Sequence, residues 1–191
     1  VTNQVDGCKK DIMVKRARYI QQCSEILQEF HFVKPDVKMS LHTIYNSHFT
    51  GSPCWDMSSK AFNMLEASYN RNIKITYDIP YQTHQTLLPG LSNVKPLRII
   101  LAKRLLTFVE KIRKCDKAVL RSMLRLVEQD ANTVTGRNLR TTLLLTDTAS
   151  VEQLRPEDIG NVSYYREPDL WRVLCIAKIM QMRAREIDLP P

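Results

Sequence analysis

Residues 95–125 read KPLRIILAKRLLTFVEKIRKCDKAVLRSMLR, a segment with a regular apolar pattern and many basic residues. Its apolar residues recur every three or four positions, the spacing that places side chains on one face of an α-helix. The pattern therefore predicts two amphipathic helices joined at Cys115 and Asp116. Asp116 is the expected N-cap of the second helix, because its carboxylate can accept hydrogen bonds from free backbone NH groups.

Each of the two predicted helices has an apolar face and a basic face. The first helix has its predicted apolar face at Leu97, Leu101, Leu105, Phe108 and Ile112, opposite Arg104, Thr107, Lys111 and Lys114. The second helix has its predicted apolar face at Val119, Leu120, Met123, Leu124 and Val127, opposite a basic stripe of Lys117, Arg121 and Arg125. We expect the apolar faces to be buried and the basic faces to meet solvent.

The same stretch carries the charge excess of the whole chain. It holds ten Lys or Arg against two acidic residues, whereas the other residues contain eighteen basic and eighteen acidic side chains. The formal net charge of +8 is therefore localised in this segment. Two interpretations remain open, an ordinary solvated helix surface and a surface that binds an anionic partner such as nucleic acid.

Composition narrows the class of protein. A chain of 191 residues with 43% hydrophobic content can form one well-buried core or two small domains. Its five scattered cysteines form no C-x-x-C pair, which favours a reducing intracellular compartment, either nuclear or cytoplasmic. No apolar run approaches the roughly 20 residues that span a bilayer, and the basic faces lack bulky apolar neighbours, so we expect no membrane partner.

The remaining apolar patterns also have helical spacing, and we find no convincing strand. The other predicted helical segments are residues 8–32, 35–45, 52 or 58 to about 77, a turn at 81–88, a short helix at 139–145 and a final helix at 168–185. We therefore predict an all-α fold, a multi-helix bundle of about seven helices with no significant sheet.

The sequence contains no motif that predicts nucleotide chemistry. Neither a Walker-type phosphate loop nor a G-x-G-x-x-G loop is present. The one adjacent acidic pair, Glu157 and Asp158, follows Pro156 in a segment typical of a solvated loop. Two-metal phosphoryl chemistry needs clustered carboxylates, so we predict no catalytic residue of this kind and no cofactor.

Histidines and cysteines leave two further possibilities. His42, His48 and Cys54 follow one another at intervals of six, whereas structural zinc sites use closer pairs, so we predict no metal site. Cys54 precedes Trp55 and is expected to be a buried, unreactive thiol. A nucleophilic Cys54 activated by His84 remains the only enzymatic alternative, and we predict that the chain is not an enzyme by itself.

A series of short motifs points to a known family. The pattern Y-N-S-x-F-x-G-S-x-x-W-D spans residues 45–56, followed by D-I-P at 78–80, T-H at 83–84 and T-G-R-N-L-R at 135–140, and preceded by K-R-A at 15–17 and Q-E-F at 28–30. Together they resemble the region after the polymerase palm in reverse transcriptases of non-LTR (LINE-type) retrotransposons. The resemblance covers roughly residues 10–145. Gln85 and Cys54 depart from it, since the family tends to have Arg and Leu there.

The resemblance implies a fold and a role. Residues 1–94 would form a thumb-like helical bundle, and residues 95–191 the basic helix pair with a C-terminal helical region. The palm aspartates of the family are absent, so the chain resembles a non-catalytic fragment of an RNA-directed DNA polymerase. Its expected partners are an RNA or RNA–DNA template-primer duplex and the rest of a reverse transcriptase polyprotein, with no small-molecule substrate.

The basic residues would bind such a duplex through its backbone phosphates, without reading sequence. The expected phosphate contacts are Lys103, Arg104, Lys111, Lys114, Lys117, Arg121 and Arg125. The alternative is a helical protein-interaction module whose basic face meets an acidic protein surface, or a degenerate remnant of the element with no binding activity.

Overall fold

The predicted all-α fold is confirmed in the computed structural model, which describes residues 3–45, 49–144, 146 and 150–161. This part of the chain contains no strand. Its helices are α1 (Asn3–Glu29), α2 (Pro35–Tyr45), α3 (Lys60–Thr76), α4 (Leu88–Ser92), α5 (Leu97–Arg113), α6 (Ala118–Gln129) and α7 (Val134–Leu143). Short 3-10 turns occur at Ser52–Cys54, Gln85–Leu87, Val151–Gln153 and Asp158–Asn161. The helix predicted at 168–185 lies outside the described residues.

The basic stretch forms two helices, as predicted. They are α5 and α6, and the break between them includes Cys115 and Asp116. The predicted cap is wrong, because the N-cap residue of α6 is Lys117 and no side chain caps it. Pro89 and Gly90 lie inside α4, where the proline occupies the first turn and no backbone NH is needed.

The chain divides into two compact units that alternate along the sequence. Of the described residues, the first unit comprises those in the ranges 3–19, 49–66 and 97–161, and the second those in the ranges 20–45 and 67–96. A division into separate domains at residue 95 remains a prediction about independent folding.

Helix α5 lies at the centre of the first unit. It contacts α6, α7 and the 3-10 turns Ser52–Cys54 and Asp158–Asn161. Because elements surround it, α5 is buried on more than the one predicted face. Its buried residues are Leu97, Ile99, Leu101, Ala102, Leu105, Leu106 and Val109. Phe108, which was expected on the apolar face, is instead 44% exposed.

Trp55 anchors the segment that enters α3. Its side chain is 1% exposed, its ring lies 5.9 Å from that of Phe49, and its Nε1 donates a 2.8 Å hydrogen bond to the Asp11 carboxylate. Gly51 precedes the 3-10 turn with a φ of 88°, a left-handed conformation that glycine adopts without steric cost. Trp55 is thus a packing anchor, and Gly51 forms the turn before it.

The second unit is built around a smaller apolar core. Its buried apolar residues are Cys23, Ile26, Met39, Tyr69, Ile73, Ile79, Leu87 and Leu88. His42 is also buried, at 2% exposure, and neither ring nitrogen has a hydrogen-bond partner. This burial lowers the pKa of His42 to about 4. The ring of His84 accepts a hydrogen bond from the backbone NH of Thr86 and caps the turn that follows it.

Candidate nucleic-acid interface

Helix α6 is joined to α5 by a partly buried ion pair. Arg113, at the end of α5, contacts the carboxylate of Glu128 in α6 at 2.6 Å. The same guanidinium donates to the carbonyl oxygens of Val151 at 3.0 Å and Leu154 at 3.1 Å. All of these donors face protein groups, so Arg113 joins α5, α6 and the segment around residue 151 rather than offering charge to a ligand.

Arg98 is a second basic residue with a structural role. Its guanidinium pairs with Glu66 at 2.9 Å, donates to the Met57 carbonyl at 2.8 Å and to the Asn63 side chain at 2.9 Å. It also lies over the Phe62 ring, 5.0 Å from its centroid. Neither Arg98 nor Arg113 was among the predicted phosphate contacts, and their partners explain part of the charge excess of the segment.

The predicted basic stripe of α6 is solvent-exposed. Lys117, Arg121 and Arg125 are all exposed, and they form no ion pair with any residue that the structure describes. Arg121 and Arg125 line a cavity of about 310 Å³ together with Arg113, Leu124, Glu128, Gln129 and Glu152. The charge of Glu128 is neutralised by Arg113. Glu152 is therefore the acidic lining residue whose charge would repel an anion bound in this cavity.

The other four predicted contacts, three on α5 and Lys114 directly after it, differ in their surroundings. Lys103, Lys111 and Lys114 are exposed, and Lys114 pairs with Glu110 at 2.5 Å. The hydrogen bond from Lys114 is the main reason that the pKa of Glu110 is lowered. Arg104 is half-buried over the Phe49 ring, 5.9 Å from its centroid, and burial lowers its pKa. Arg104 thus combines packing with charge, whereas Lys103 and Lys111 have charged groups without an ion-pair partner in the described ranges.

The expectation that α6 buries its whole apolar face is wrong. On that face Val119, Leu120 and Met123 are 71%, 41% and 57% exposed, Val127 is half-buried, and only Leu124 is buried. Leu126, outside the predicted face, is 67% exposed. The physical reason is the way α6 is held, since Leu124 and the ion-paired Glu128 lie one turn apart and define the packed edge. At 100° per residue, that edge is turned away from the row that contains Val119, Met123 and Leu126.

Two motif segments that carry the family resemblance contact each other in the first unit. Asn138 donates from its side chain to the Trp55 carbonyl at 2.5 Å and accepts a 3.2 Å hydrogen bond from the Met57 NH. Arg137 pairs with Asp56 at 3.1 Å. Burial opposes ionisation of Asp56, but hydrogen bonds from Ser58 and Arg137 outweigh it and lower the pKa of Asp56.

Gly136 belongs to the same contact region for steric reasons. Thr133 caps α7 by accepting a 3.0 Å hydrogen bond from the Gly136 NH. A Cβ on Gly136 would collide with the Asp130 carbonyl and would lie 2.7 Å from the Val127 carbonyl. The glycine therefore allows the start of α7 to approach the end of α6. The motif residues at 55–56 and 136–138 are therefore part of the scaffold that positions α6.

The first unit contains a large apolar groove that the sequence did not predict. It has a volume of about 870 Å³ and lies between α1, the segment 54–64 and the connection from α6 to α7. Cys54 lines this groove and is exposed, so the expectation of a buried thiol is wrong. Three segments distant in sequence form the walls, and no local periodicity marks such an arrangement.

The described residues provide no metal centre. Within them, no group of three His, Cys, Asp or Glu side chains is placed to hold an ion. His48, which was considered as a zinc ligand, lies outside this part of the chain. No helix in the same residue ranges combines the length and the apolar character needed to cross a membrane.

Comparison with known proteins gives no assignment: no family model, curated protein or solved structure matches the chain. The resemblance to the LINE-type region and the seven phosphate contacts therefore stay predictions. Asn46 and Ser47 of the longest motif lie outside the described residues, whereas Phe49, Gly51, Trp55 and the segment 135–140 lie within them.

Proposed function

We propose that this chain is a non-catalytic nucleic-acid-binding segment of a LINE-type reverse transcriptase. It would grip an RNA or RNA–DNA template-primer duplex through backbone phosphates. The observation that carries the proposal is the exposed stripe of Lys117, Arg121 and Arg125, three cations without an ion-pair partner among the described residues, on a helix that a partly buried ion pair holds in place.

The dimensions of the stripe suit a duplex backbone. Three residues at intervals of four span about 12 Å along a helix axis, at 1.5 Å per residue. One strand of a duplex rises about 3.4 Å per nucleotide, so three to four phosphates lie within that length. Arg121 and Arg125 also line a cavity that is large enough to hold a phosphate group. Contacts of this type supply affinity without base specificity.

The matched motifs support the same proposal in a different way. The residues of the resemblance pack, cap and hydrogen-bond to one another, which suits a segment whose role is to present a surface. Trp55, Asp56, Gly136 and Asn138 contribute to the shape of the first unit. A gripping segment needs such rigidity more than it needs reactive groups, because the chemistry belongs to the palm.

The experiment is a titration of the full chain with two polyanions at matched salt. A fluorescent RNA–DNA duplex is compared with polyglutamate of similar charge, and binding is followed by anisotropy. We expect the duplex to bind at least roughly tenfold more tightly, since its phosphates are spaced regularly along a rigid backbone. Equal or tighter binding of polyglutamate by the folded chain would favour a general acidic-protein surface, and no binding of either would favour a degenerate remnant.

A further inference from the structure

The apolar groove of the first unit is unexplained by duplex binding. Its volume is about 870 Å³, and much of its lining is apolar, with Ile12 and Met13 from α1, Ala61 and Met64 from α3, Val127 from α6 and Val134 from α7. Phosphate groups would make no favourable contact with these apolar side chains. A groove of this size and character suits apolar side chains instead.

The rim of the groove is positively charged. Lys9 and Lys60 line it and are exposed, and neither forms an ion pair with a described residue. The acidic residue of the lining, Asp56, is already paired with Arg137 at 3.1 Å. An occupant with carboxylates beside its apolar groups would therefore find complementary charge.

An exposed apolar row on α6 leads toward the same groove. Val127 lines the groove, and it shares a helix face with Leu120 and Met123 at spacings of seven and four residues. Both Leu120 and Met123 are exposed. The apolar surface thus extends beyond the groove along α6, on a different side from the stripe of Arg121 and Arg125.

We propose that this groove binds the apolar face of an acidic amphipathic helix from a partner protein. Helices that lie in apolar grooves present residues at i, i+3, i+4 and i+7, which suits an apolar groove continued by an exposed apolar row on α6. The chemistry favours protein over lipid, because interfacial lipid sites use Trp and Phe, whereas this surface uses Met13, Met64 and Met123. Methionine is typical of surfaces that accept helices.

The inference goes beyond duplex binding and is separable from it. Neither Lys117 nor Arg121 nor Arg125 lines the groove. The test uses the full chain and a synthetic helix with Leu at i, i+3, i+4 and i+7 and Glu on its other faces. The control peptide has the same composition with its leucines scattered around the helix. Anisotropy measures binding, and peptide mass mapping measures alkylation of Cys54.

We expect the amphipathic peptide to bind at least roughly tenfold more tightly than its scrambled control and to protect Cys54 from alkylation. The variant Met13→Gln, Met64→Gln should lose roughly tenfold in peptide affinity while its duplex affinity and melting temperature stay unchanged. Lys9→Glu with Lys60→Glu should weaken the same binding most at low salt.

Three results would overturn the proposal. Equal binding of the scrambled peptide would show that charge alone is recognised. Full affinity in a folded Met13→Gln, Met64→Gln variant would place the peptide elsewhere. Binding of phosphatidylserine-containing vesicles without binding of the amphipathic peptide would assign the surface to a membrane. Loss of duplex binding on replacing Lys117, Arg121 and Arg125 would leave each of these three results unchanged. The proposals of peptide binding and of duplex binding can therefore fail independently.

Discussion

The side-chain amide of Asn138 donates a 2.5 Å hydrogen bond to the main-chain carbonyl of Trp55, across more than eighty residues of sequence. Its carbonyl oxygen accepts from the Met57 NH at 3.2 Å, so one buried side chain serves the backbone on both sides of Asp56. This relationship brings the segments around residues 55 and 138 into direct contact. It joins α7 to the entry of α3.

Replacing Asn138 with Leu should destabilise the chain by about 2–4 kcal/mol, because two buried backbone groups lose their partners. Urea denaturation followed by circular dichroism measures the change. The neighbouring pair supplies the control, since Arg137→Gln disrupts a partly exposed ion pair and should cost less than about 1 kcal/mol. Similar costs for both variants would mean that the buried amide has no special role.

Trp55→Phe should cost about 2–4 kcal/mol of unfolding free energy, since the smaller ring leaves a cavity and the hydrogen bond from Nε1 to Asp11 is lost. A double-mutant cycle with Asp11→Ala separates the two effects. We expect a coupling energy of about 1–2 kcal/mol between Trp55 and Asp11. Strictly additive effects of the two substitutions would contradict the hydrogen bond.

Glu128→Ala should release α6 from α5 by leaving Arg113 without its carboxylate. We expect a loss of about 2–4 kcal/mol in stability, because the pair is mostly buried but Arg113 keeps two carbonyl partners. Duplex affinity should fall with it, since the basic stripe would lose its fixed position. The matched control is Glu110→Gln, which removes the carboxylate partner of the exposed Lys114 and should change stability only slightly.

His42 predicts a pH dependence with a definite sign. Its pKa is lowered to about 4 in the folded chain, against roughly 6.5 when unfolded, so the unfolded state binds the proton more readily. Stability should be full above pH 6.5 and decline as the pH falls toward 4, by up to about 3 kcal/mol. In His42→Leu this part of the decline should disappear from urea titrations. An equally steep decline in the variant would assign it to other groups.

Much of the fold follows from periodicity. The spacing of Leu97, Leu101 and Leu105 predicted α5, and the break at Cys115 predicted where α6 begins to within a few residues. Sequence spacing describes which side chains share a face, but it does not say which face is packed. On α6 the packed edge is set by the ion pair between Glu128 and Arg113, which lie fifteen positions apart in the sequence.

The candidate interface was partly predictable for the same reason. The stripe on α6 is exposed as expected, because three cations in a row are costly to bury. The groove and the half-buried position of Arg104 were not predictable. Arg104 lies over Phe49, and the groove brings Met13, Met64 and Val134 together, so both depend on tertiary contacts that no local pattern encodes.

The most direct test of the central claim is the salt dependence of duplex binding by the variant Lys117→Gln, Arg121→Gln, Arg125→Gln. A charge-matched control replaces three exposed bases elsewhere, Lys10, Arg18 and Arg71, by Gln. Log affinity is measured against log salt for the RNA–DNA duplex. We predict that the slope of log affinity against log salt falls by roughly 2 to 3 in the Lys117, Arg121, Arg125 variant, at about 0.9 per phosphate contact. In the control variant the slope should stay near the wild-type value. An unchanged slope in a folded stripe variant would contradict the prediction.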